Sequence, residues 1–158
     1  MIVLTVLETP HVIVGAAIAT KVVNPALAIP LALASHFVLD KVPHWNPHLF
    51  TETQKLGHPS KQTTNVALLD VGIALATGLF MTSRFSEDLG KVILILTCSL
   101  VSVLPDIIKW PYYYLGKRWK LLVKWVLFER SIQVNADFWP GVISQGLVMA
   151  AGIWWAFS

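Results

Sequence analysis

Charged residues and cysteines are both scarce in this sequence. Only 13% of its 158 residues are charged and 55% are hydrophobic, whereas soluble domains carry about 25% charged residues. A water-soluble globule of this length could not hide so much apolar surface, because small domains leave much of their surface exposed. The single cysteine, Cys98, excludes an intramolecular disulfide and lies in an apolar run, which predicts a buried thiol. We therefore expect one membrane domain over residues 1–158.

Several targeting and catalytic motifs are also missing. The N-terminus has no basic region before its first apolar stretch, and Glu8 and His11 interrupt that stretch, so we expect it to be retained rather than cleaved as a signal peptide. The sequence contains no glycine-rich phosphate loop and no serine-nucleophile motif, which argues against NTPase and serine-hydrolase functions. The net charge of +3 does not suggest nucleic acid as a partner.

Five apolar segments account for most of the chain. The last three are each close to the roughly 20 residues needed to cross a bilayer. The first two are shorter, so they either span with help from residues 1–7 or form a short re-entrant hairpin. The sequence thus predicts an all-α integral membrane protein with four to five transmembrane helices. The segments are residues 10–23, 25–41, 65–83, 90–108 and 138–157.

The distribution of basic residues predicts the orientation in the membrane. Chain alternation places the connections 41–64 and 109–137 on one face, and these connections carry nine of the twelve basic residues. Cytoplasmic connections are enriched in lysine and arginine. We therefore expect a multi-pass protein of the cell (inner) membrane whose shared face is cytoplasmic.

Residues 115–128 show the pattern of an amphipathic helix. This pattern is typical of a helix that lies in the membrane interface with its basic side toward anionic headgroups. The alternative is a helix that packs on the protein's own cytoplasmic end. The apolar side consists of Leu115, Trp119, Leu122, Val123 and Val126. The basic side, which we expect to bind headgroups, consists of Lys117, Lys120 and Lys124.

Ionisable residues inside membrane segments are costly and rare, and here they fall toward the cytoplasmic face. His36 and Asp40 are four residues apart, so on a helix they share a face and both can reach one ion. An imidazole with a carboxylate suits a divalent metal, with Zn²⁺ expected and Mn²⁺ or Fe²⁺ as alternatives. The predicted metal ligands are His11, His36, Asp40, Asp70 and Asp106.

Two residues near this group are candidates for a catalytic role. Asp70, if not fully engaged by metal, could act as a general base. His44 follows the helix-ending Pro43 and lies four residues past Asp40, so it could curl back over the same site. Simpler explanations remain for the whole group: the histidines could serve as hydrogen-bonding groups, and the carboxylates could pair with nearby histidines or lysines.

Three short motifs carry a resemblance to a known family. They are TPHVIVGAA at 9–17, SHFVLDKVPH at 35–44 and LPD at 104–106. These motifs resemble those of the YdjM-like family of membrane-bound, metal-dependent hydrolases, which is similar in having T-H-x-x-x-G, S-H-x-x-x-D and L-P-D type segments. The resemblance implies that His11, His36 and Asp40 belong to a metal site.

Three functions compete on these observations. The first is a metal-dependent hydrolase that acts on a lipid-borne ester, most simply a phosphoester, at the headgroup level. The second is a non-enzymatic metal or proton carrier, and the third is a structural membrane protein. A small-residue face on the last segment, which includes Gly141, Gly146 and Gly152, permits close packing within the chain or between copies in a homo-oligomer.

Overall fold

The structure is a computed structural model that describes residues 8–158, and within that range it contains seven α-helices and no β-strand. The expectations about residues 1–7, that they extend the first segment and are retained, lie outside the described residues. The helices are α1 (Thr9–Lys21), α2 (Pro25–Leu39), α3 (Leu49–Leu56), α4 (Lys61–Ser83), α5 (Leu89–Tyr114), α6 (Lys120–Ile132) and α7 (Phe138–Phe157).

Local sequence explains where several helices begin. The Asn24 side chain accepts a hydrogen bond from the Ala26 amide, and Pro25 occupies the first position of α2. The Ser60 side chain caps α4 by accepting from the Thr63 amide. Such caps supply acceptors for amides that have no partner inside the helix. The local sequence therefore determines where these helices begin.

The first helix, α1, lies at the centre of the molecule. Eleven of its thirteen residues are buried, and it packs against α2, α4, α5 and α7. A helix that is hydrophobic all round is expected to be enclosed by others. Gly15 permits this, since a Cβ at that position would lie 2.6 Å from the Cys98 carbonyl oxygen of α5.

Among the described residues, three helices are long and apolar enough to cross a membrane: α4, α5 and α7. They are the helices that contain the third, fourth and fifth apolar segments. Much of their apolar surface faces outward, including Leu75 of α4, Leu100 of α5 and Leu147 of α7, which are 57–67% exposed. Exposed apolar surface on this scale suits lipid rather than water. These helices indicate a membrane protein.

The cytoplasmic connections of the sequence prediction contain more helix than expected. α3 was not predicted, and α4 begins at Lys61 rather than at residue 65. α5 continues past residue 108, through Pro111, to Tyr114. The hydropathy pattern therefore underestimated the length of helices whose ends are polar or contain proline. The hydropathy of such ends falls below that of a membrane segment.

The predicted amphipathic helix is displaced along the chain. Gly116 adopts a φ of 61°, a left-handed conformation that interrupts the helix, and α6 begins only at Lys120. Lys117 consequently lies outside the helix. α6 packs on α5 and buries Leu122, Val126 and Glu129. The apolar side of this helix thus packs on the protein itself, which was the alternative to a helix lying only on the membrane. Leu121 nevertheless remains 81% exposed.

A short backbone pairing joins the end of α2 to the segment before α7. The Val134 amide donates to the Asp40 carbonyl at 2.9 Å, and the Ala136 amide donates to the His44 carbonyl at 2.8 Å. The Ala136 bond and a bond from the His44 amide to the Val134 carbonyl, at 3.1 Å, form the isolated parallel bridge between His44 and Asn135. It holds the C-terminal end of α6 beside the C-terminal end of α2.

Candidate metal centre

Three helices bring a group of potential metal ligands together inside the protein. His11 of α1, His36 of α2 and Asp106 of α5 each offer a ligand atom, and these atoms lie within 4.8 Å of one another. The two imidazole rings stack with their centroids 4.3 Å apart. Because α1 and α2 form a hairpin closed by residues 22–24, the start of one helix meets the end of the other.

Asp40, at the C-terminal end of α2, belongs to the same group. Its Oδ2 lies 3.5 Å from His36 Nε2, one turn earlier on the helix, and its Oδ1 lies 3.7 Å from His11 Nε2. Asp106 Oδ2 lies 4.0 Å from His36 Nε2. Four of the five predicted ligands are therefore neighbours, at distances longer than direct hydrogen bonds.

Glu129 is a member of the site that the sequence did not predict. It is fully buried on α6, and its Oε1 lies 3.8 Å from His36 Nε2. Lys109 forms ion pairs with both Glu129 and Asp106. Burial raises the pKa of Glu129 to about 7, against the opposing effect of Lys109. The sequence could have identified Glu129 by its spacing from Leu122 and Val126, since this spacing puts an acidic residue on the apolar side of α6.

The orientation of His36 is fixed by a backbone carbonyl. His36 Nδ1 donates to the Ser102 carbonyl oxygen at 2.8 Å, so in the neutral ring Nε2 presents its lone pair to the carboxylates. Metal-binding histidines commonly use such a carbonyl to set the tautomer. Within residues 8–158, His36 Nε2, Asp40 Oδ2 and Glu129 Oε1 are buried without a hydrogen-bond partner. Acceptors that face each other in this way need a cation or a proton between them.

The spacing and charge of the group fit a divalent cation. Ligands held about 2.1 Å from a tetrahedral centre lie about 3.4 Å apart, close to the 3.5 Å between His36 Nε2 and Asp40 Oδ2. Three carboxyl groups, those of Asp40, Asp106 and Glu129, lie around His36, and the ammonium of Lys109 pairs with Asp106 and Glu129. Such an excess of buried negative charge favours a bound cation. The donor set of imidazole and carboxylate suits Zn²⁺, Mn²⁺ or Fe²⁺.

Asp70 makes contacts that the sequence did not predict, and its predicted roles as a ligand and general base stay predictions. Its carboxylate is fully buried and accepts hydrogen bonds from the Glu8 amide and, at 2.8 Å, from the Thr9 hydroxyl. These contacts supply acceptors at the N-terminus of α1, where the helix dipole also favours negative charge. Asp70 therefore positions the helix that carries His11, and it is not part of the triad of ligand atoms.

His44 lines the cavity beside the site, and both of its ring nitrogens make hydrogen bonds to neighbouring residues. Its Nδ1 donates to the Val42 carbonyl at 2.8 Å, and its Nε2 accepts from the Asn46 amide group at 2.9 Å. Burial lowers the pKa of His44. Both nitrogens are engaged in this arrangement, and the catalytic role predicted for His44 stays a prediction.

A cavity of about 350 Å³ opens from the metal centre. His11, Asp40 and Asp106 form part of its polar end, and residues of α3, α4 and α5 form its apolar side. Among residues 8–158, the basic residues that line it are Lys109 and Arg130. The predicted headgroup ligands do not line it and are exposed at the surface. These ligands are Lys117, Lys120 and Lys124.

Comparisons with known proteins add no assignment, because no family model, no curated protein and no solved structure matches this chain. The resemblance to the YdjM-like family therefore stays a prediction from the three motifs. Conclusions about function depend on the geometry of the metal centre and its cavity.

Proposed function

We propose that the protein is a metal-dependent membrane hydrolase that acts on a lipid-borne phosphoester at the cytoplasmic headgroup level. The observation that carries this proposal is the group of buried, unpaired acceptor atoms around His36 Nε2. The resemblance of the motifs to a family of membrane-bound hydrolases favours hydrolysis over other metal-dependent reactions.

The residues of the centre have separable roles in this proposal. His11, His36, Asp40 and Asp106 hold a divalent cation, and Glu129 supplies a further carboxylate beside them. When bound, such a cation polarises an ester oxygen and activates a water nucleophile.

Lys109 and the fold around it prepare the site for an anionic group. Its ammonium joins the Asp106 and Glu129 carboxylates and so fixes both side chains. A positive charge at the edge of a dehydrated site also favours developing negative charge on a phosphoryl group. Lys109 is thus a positioning residue for the ligands and an electrostatic aid to the reaction.

The membrane arrangement of the proposal follows the distribution of charge. α4, α5 and α7 cross the bilayer, and α1 with α2 forms a hairpin in which α1 is enclosed and α2 keeps apolar residues such as Leu27 and Val38 exposed. Counting this hairpin as one or two further segments gives four to five membrane segments. α6 lies at the cytoplasmic interface, with its buried side on α5 and exposed Leu121 and Phe128 toward lipid. This arrangement puts the metal centre near the headgroups of the cytoplasmic leaflet.

Metal analysis of the purified protein and of single variants tests the proposal. We expect a near-stoichiometric divalent transition metal in the wild type and its loss in His36→Ala. Glu129→Gln should weaken metal binding by about 10–100-fold, the usual effect of a change beside the direct ligands. His58→Ala, which changes an exposed histidine, is the matched control and should keep the metal.

An activity assay then distinguishes a hydrolase from the alternative functions. We expect the metal-loaded protein to release phosphate from phosphatidate, phosphatidylglycerophosphate or a prenyl phosphate, and His36→Ala to be inactive. A wild-type protein purified without chelators that contains no transition metal would contradict the proposal. Bound metal with no turnover, but with metal flux into liposomes, would instead identify a carrier.

A further inference from the structure

We propose that the cavity beside the metal centre binds one anionic lipid, with its head at Lys109 and Arg130 and its hydrocarbon chain leaving between α4 and α5. Hydrolysis of the headgroup rests on the proposed hydrolase function, but binding of the lipid does not.

Two basic side chains at the polar end of the cavity can contact an anion, beside the carboxyl groups of Glu8, Asp40 and Asp106. One of them, Arg130, is exposed; its Nη1 donates to Asn135 Oδ1 at 2.9 Å and its guanidinium lies 5.8 Å from the centre of the Phe50 ring. A guanidinium binds phosphate through paired, charge-assisted hydrogen bonds. Lys109 lines the same cavity, with its ammonium at the metal centre.

The other side of the cavity is apolar and comes from three helices. Its surface is of the kind that accommodates hydrocarbon, with aromatic rings contributed by α5 and smaller aliphatic side chains by α4. The main contributors are Phe50 of α3, Ala67, Leu68 and Val71 of α4, and Trp110 and Tyr113 of α5.

The apolar side is open where the protein faces lipid. Leu68, Val71 and Trp110 line the cavity and are also 63%, 42% and 53% exposed. They belong to two of the helices that are apolar enough to span a membrane. Tryptophan at such a position is typical of the interface between headgroups and hydrocarbon. An occupant can therefore keep most of its tail in the bilayer while its head enters the protein.

The size of the cavity agrees with a lipid that is only partly enclosed by the protein. About 350 Å³ is near the lower end of ligand pockets, which span roughly 300–1,000 Å³. A cavity this small holds a headgroup and the adjoining part of one chain, not a complete phospholipid. A peptide is a poorer occupant, because its backbone would leave unpaired polar groups beside the apolar wall.

Photo-crosslinking from neighbouring positions on α4 tests the proposal directly. p-Benzoylphenylalanine replaces either Leu68, which lines the cavity, or Leu69, the adjacent leucine that is 46% exposed and does not line it. The full chain is reconstituted in phosphatidylcholine vesicles that contain a labelled phosphonate analogue of phosphatidate, whose C–P bond resists hydrolysis. We expect the Leu68 position to capture the analogue preferentially over phosphatidylcholine, and the Leu69 position to capture the two lipids in proportion to their abundance.

Removing the anion-binding group should abolish the preference. Arg130→Gln is expected to lower selective capture at Leu68 by about tenfold, as the loss of a charge-assisted contact predicts. Lys124→Gln, an exposed position on the same helix that does not line the cavity, is the control and should leave selectivity unchanged.

The possible results separate this proposal from the proposed enzyme. Equal, unselective capture at Leu68 and Leu69 would overturn the lipid site, as would crosslinking of Leu68 to a co-purified polypeptide. Selective capture that depends on Arg130 would support the site even if metal analysis and phosphate release both failed. In that outcome the hydrolase proposal falls and the lipid site stands.

Discussion

At the scale of single residues, Glu52 couples α3 to the start of α4. Its Oε2 accepts from the Ser60 amide at 2.6 Å, and its Oε1 accepts from the Ser60 and Thr63 hydroxyls at 3.1 and 2.9 Å. The hydrogen bond from the Ser60 amide, followed by those from the two hydroxyls, lowers the pKa of Glu52. These bonds favour the charged carboxylate, so the link between the two helices depends on its ionisation.

We predict that acid loosens the first turn of α4. Because the folded pKa of Glu52 is below the unfolded value, its stabilisation is present at neutral pH and is lost as the pH falls through the folded pKa. Hydrogen-exchange protection of the Ser60 amide should therefore decline below about pH 4. Glu52→Gln should show reduced protection already at neutral pH, whereas Glu87→Gln, at an exposed position, should behave like the wild type. Unchanged protection in Glu52→Gln would contradict the coupling.

Individual site residues differed in how far the sequence could predict them. Spacing alone pairs His36 with Asp40, and the structure places these two side chains together. Glu129 was missed because the amphipathic pattern was assigned to the membrane surface and ended before it. Asp70 looked like a ligand because a buried acid in an apolar helix has the same pattern whether it binds metal or caps another helix. Only the tertiary position of Thr9 distinguishes these roles.

At the scale of helices, glycine sets how closely α7 approaches its neighbours. A Cβ at Gly141 would lie 2.3 Å from the Trp45 amide nitrogen and 2.8 Å from its Cα, so the backbone itself would have to move. By contrast, nothing lies within 4 Å of a Cβ at Gly146, one to two turns further along the same helix. The small-residue face is therefore used within the chain at Gly141 and also at Gly152, where a Cβ would lie 2.7 Å from Ile13 Cγ2, and it is open at Gly146.

We predict opposite effects of alanine at these two glycines. Gly141→Ala should destabilise the protein by about 1–3 kcal/mol, the usual cost of overpacking. Gly146→Ala should be neutral or stabilise by up to about 1 kcal/mol, because alanine favours the helix. Thermal unfolding in detergent measures both. Equal stability of the two variants would show that the Trp45 contact is not tight. Association that changes only in Gly146→Ala would favour the homo-oligomer alternative.

The predictability of the helices follows from the same local chemistry. α7 was predicted at its observed bounds because its apolar run extends over the whole helix with only Ser144 and Gln145 as polar interruptions, and α2 began at the predicted Asn24-Pro25 pair. α5 and α6 deviated because Pro111 did not end one helix and Gly116 delayed the next. A proline inside a helix costs a hydrogen bond but does not oblige it to stop when tertiary contacts compensate. Hydropathy cannot report such compensation.

At the scale of the whole molecule, the charge distribution predicts which loops face the cytoplasm. Cys98 is buried, so the unmodified protein provides little background for thiol labelling. In a Cys98→Ala chain we expect Glu87→Cys to react with a membrane-impermeant maleimide in right-side-out vesicles. Lys117→Cys should react only after permeabilisation, since it lies in the basic connection that the positive-inside rule puts in the cytoplasm. The reverse pattern would invert the orientation, and equal labelling would contradict spanning by α5.

The central position of α1 has a consequence for how the protein is made. α1 precedes the other described helices in the chain, yet its surroundings come from α2, α4, α5 and α7, which the ribosome delivers afterwards. Its histidine must wait for Asp106 of α5, and the last carboxylate, Glu129, arrives with α6. In the proposed centre, the ligand set of His11, His36, Asp40 and Asp106 is complete only after α5 has been translated, and Glu129 is added with α6. Nascent chains cut short before α5 would carry the two imidazoles and Asp40 without Asp106, so metal occupancy would report that synthesis had passed that point.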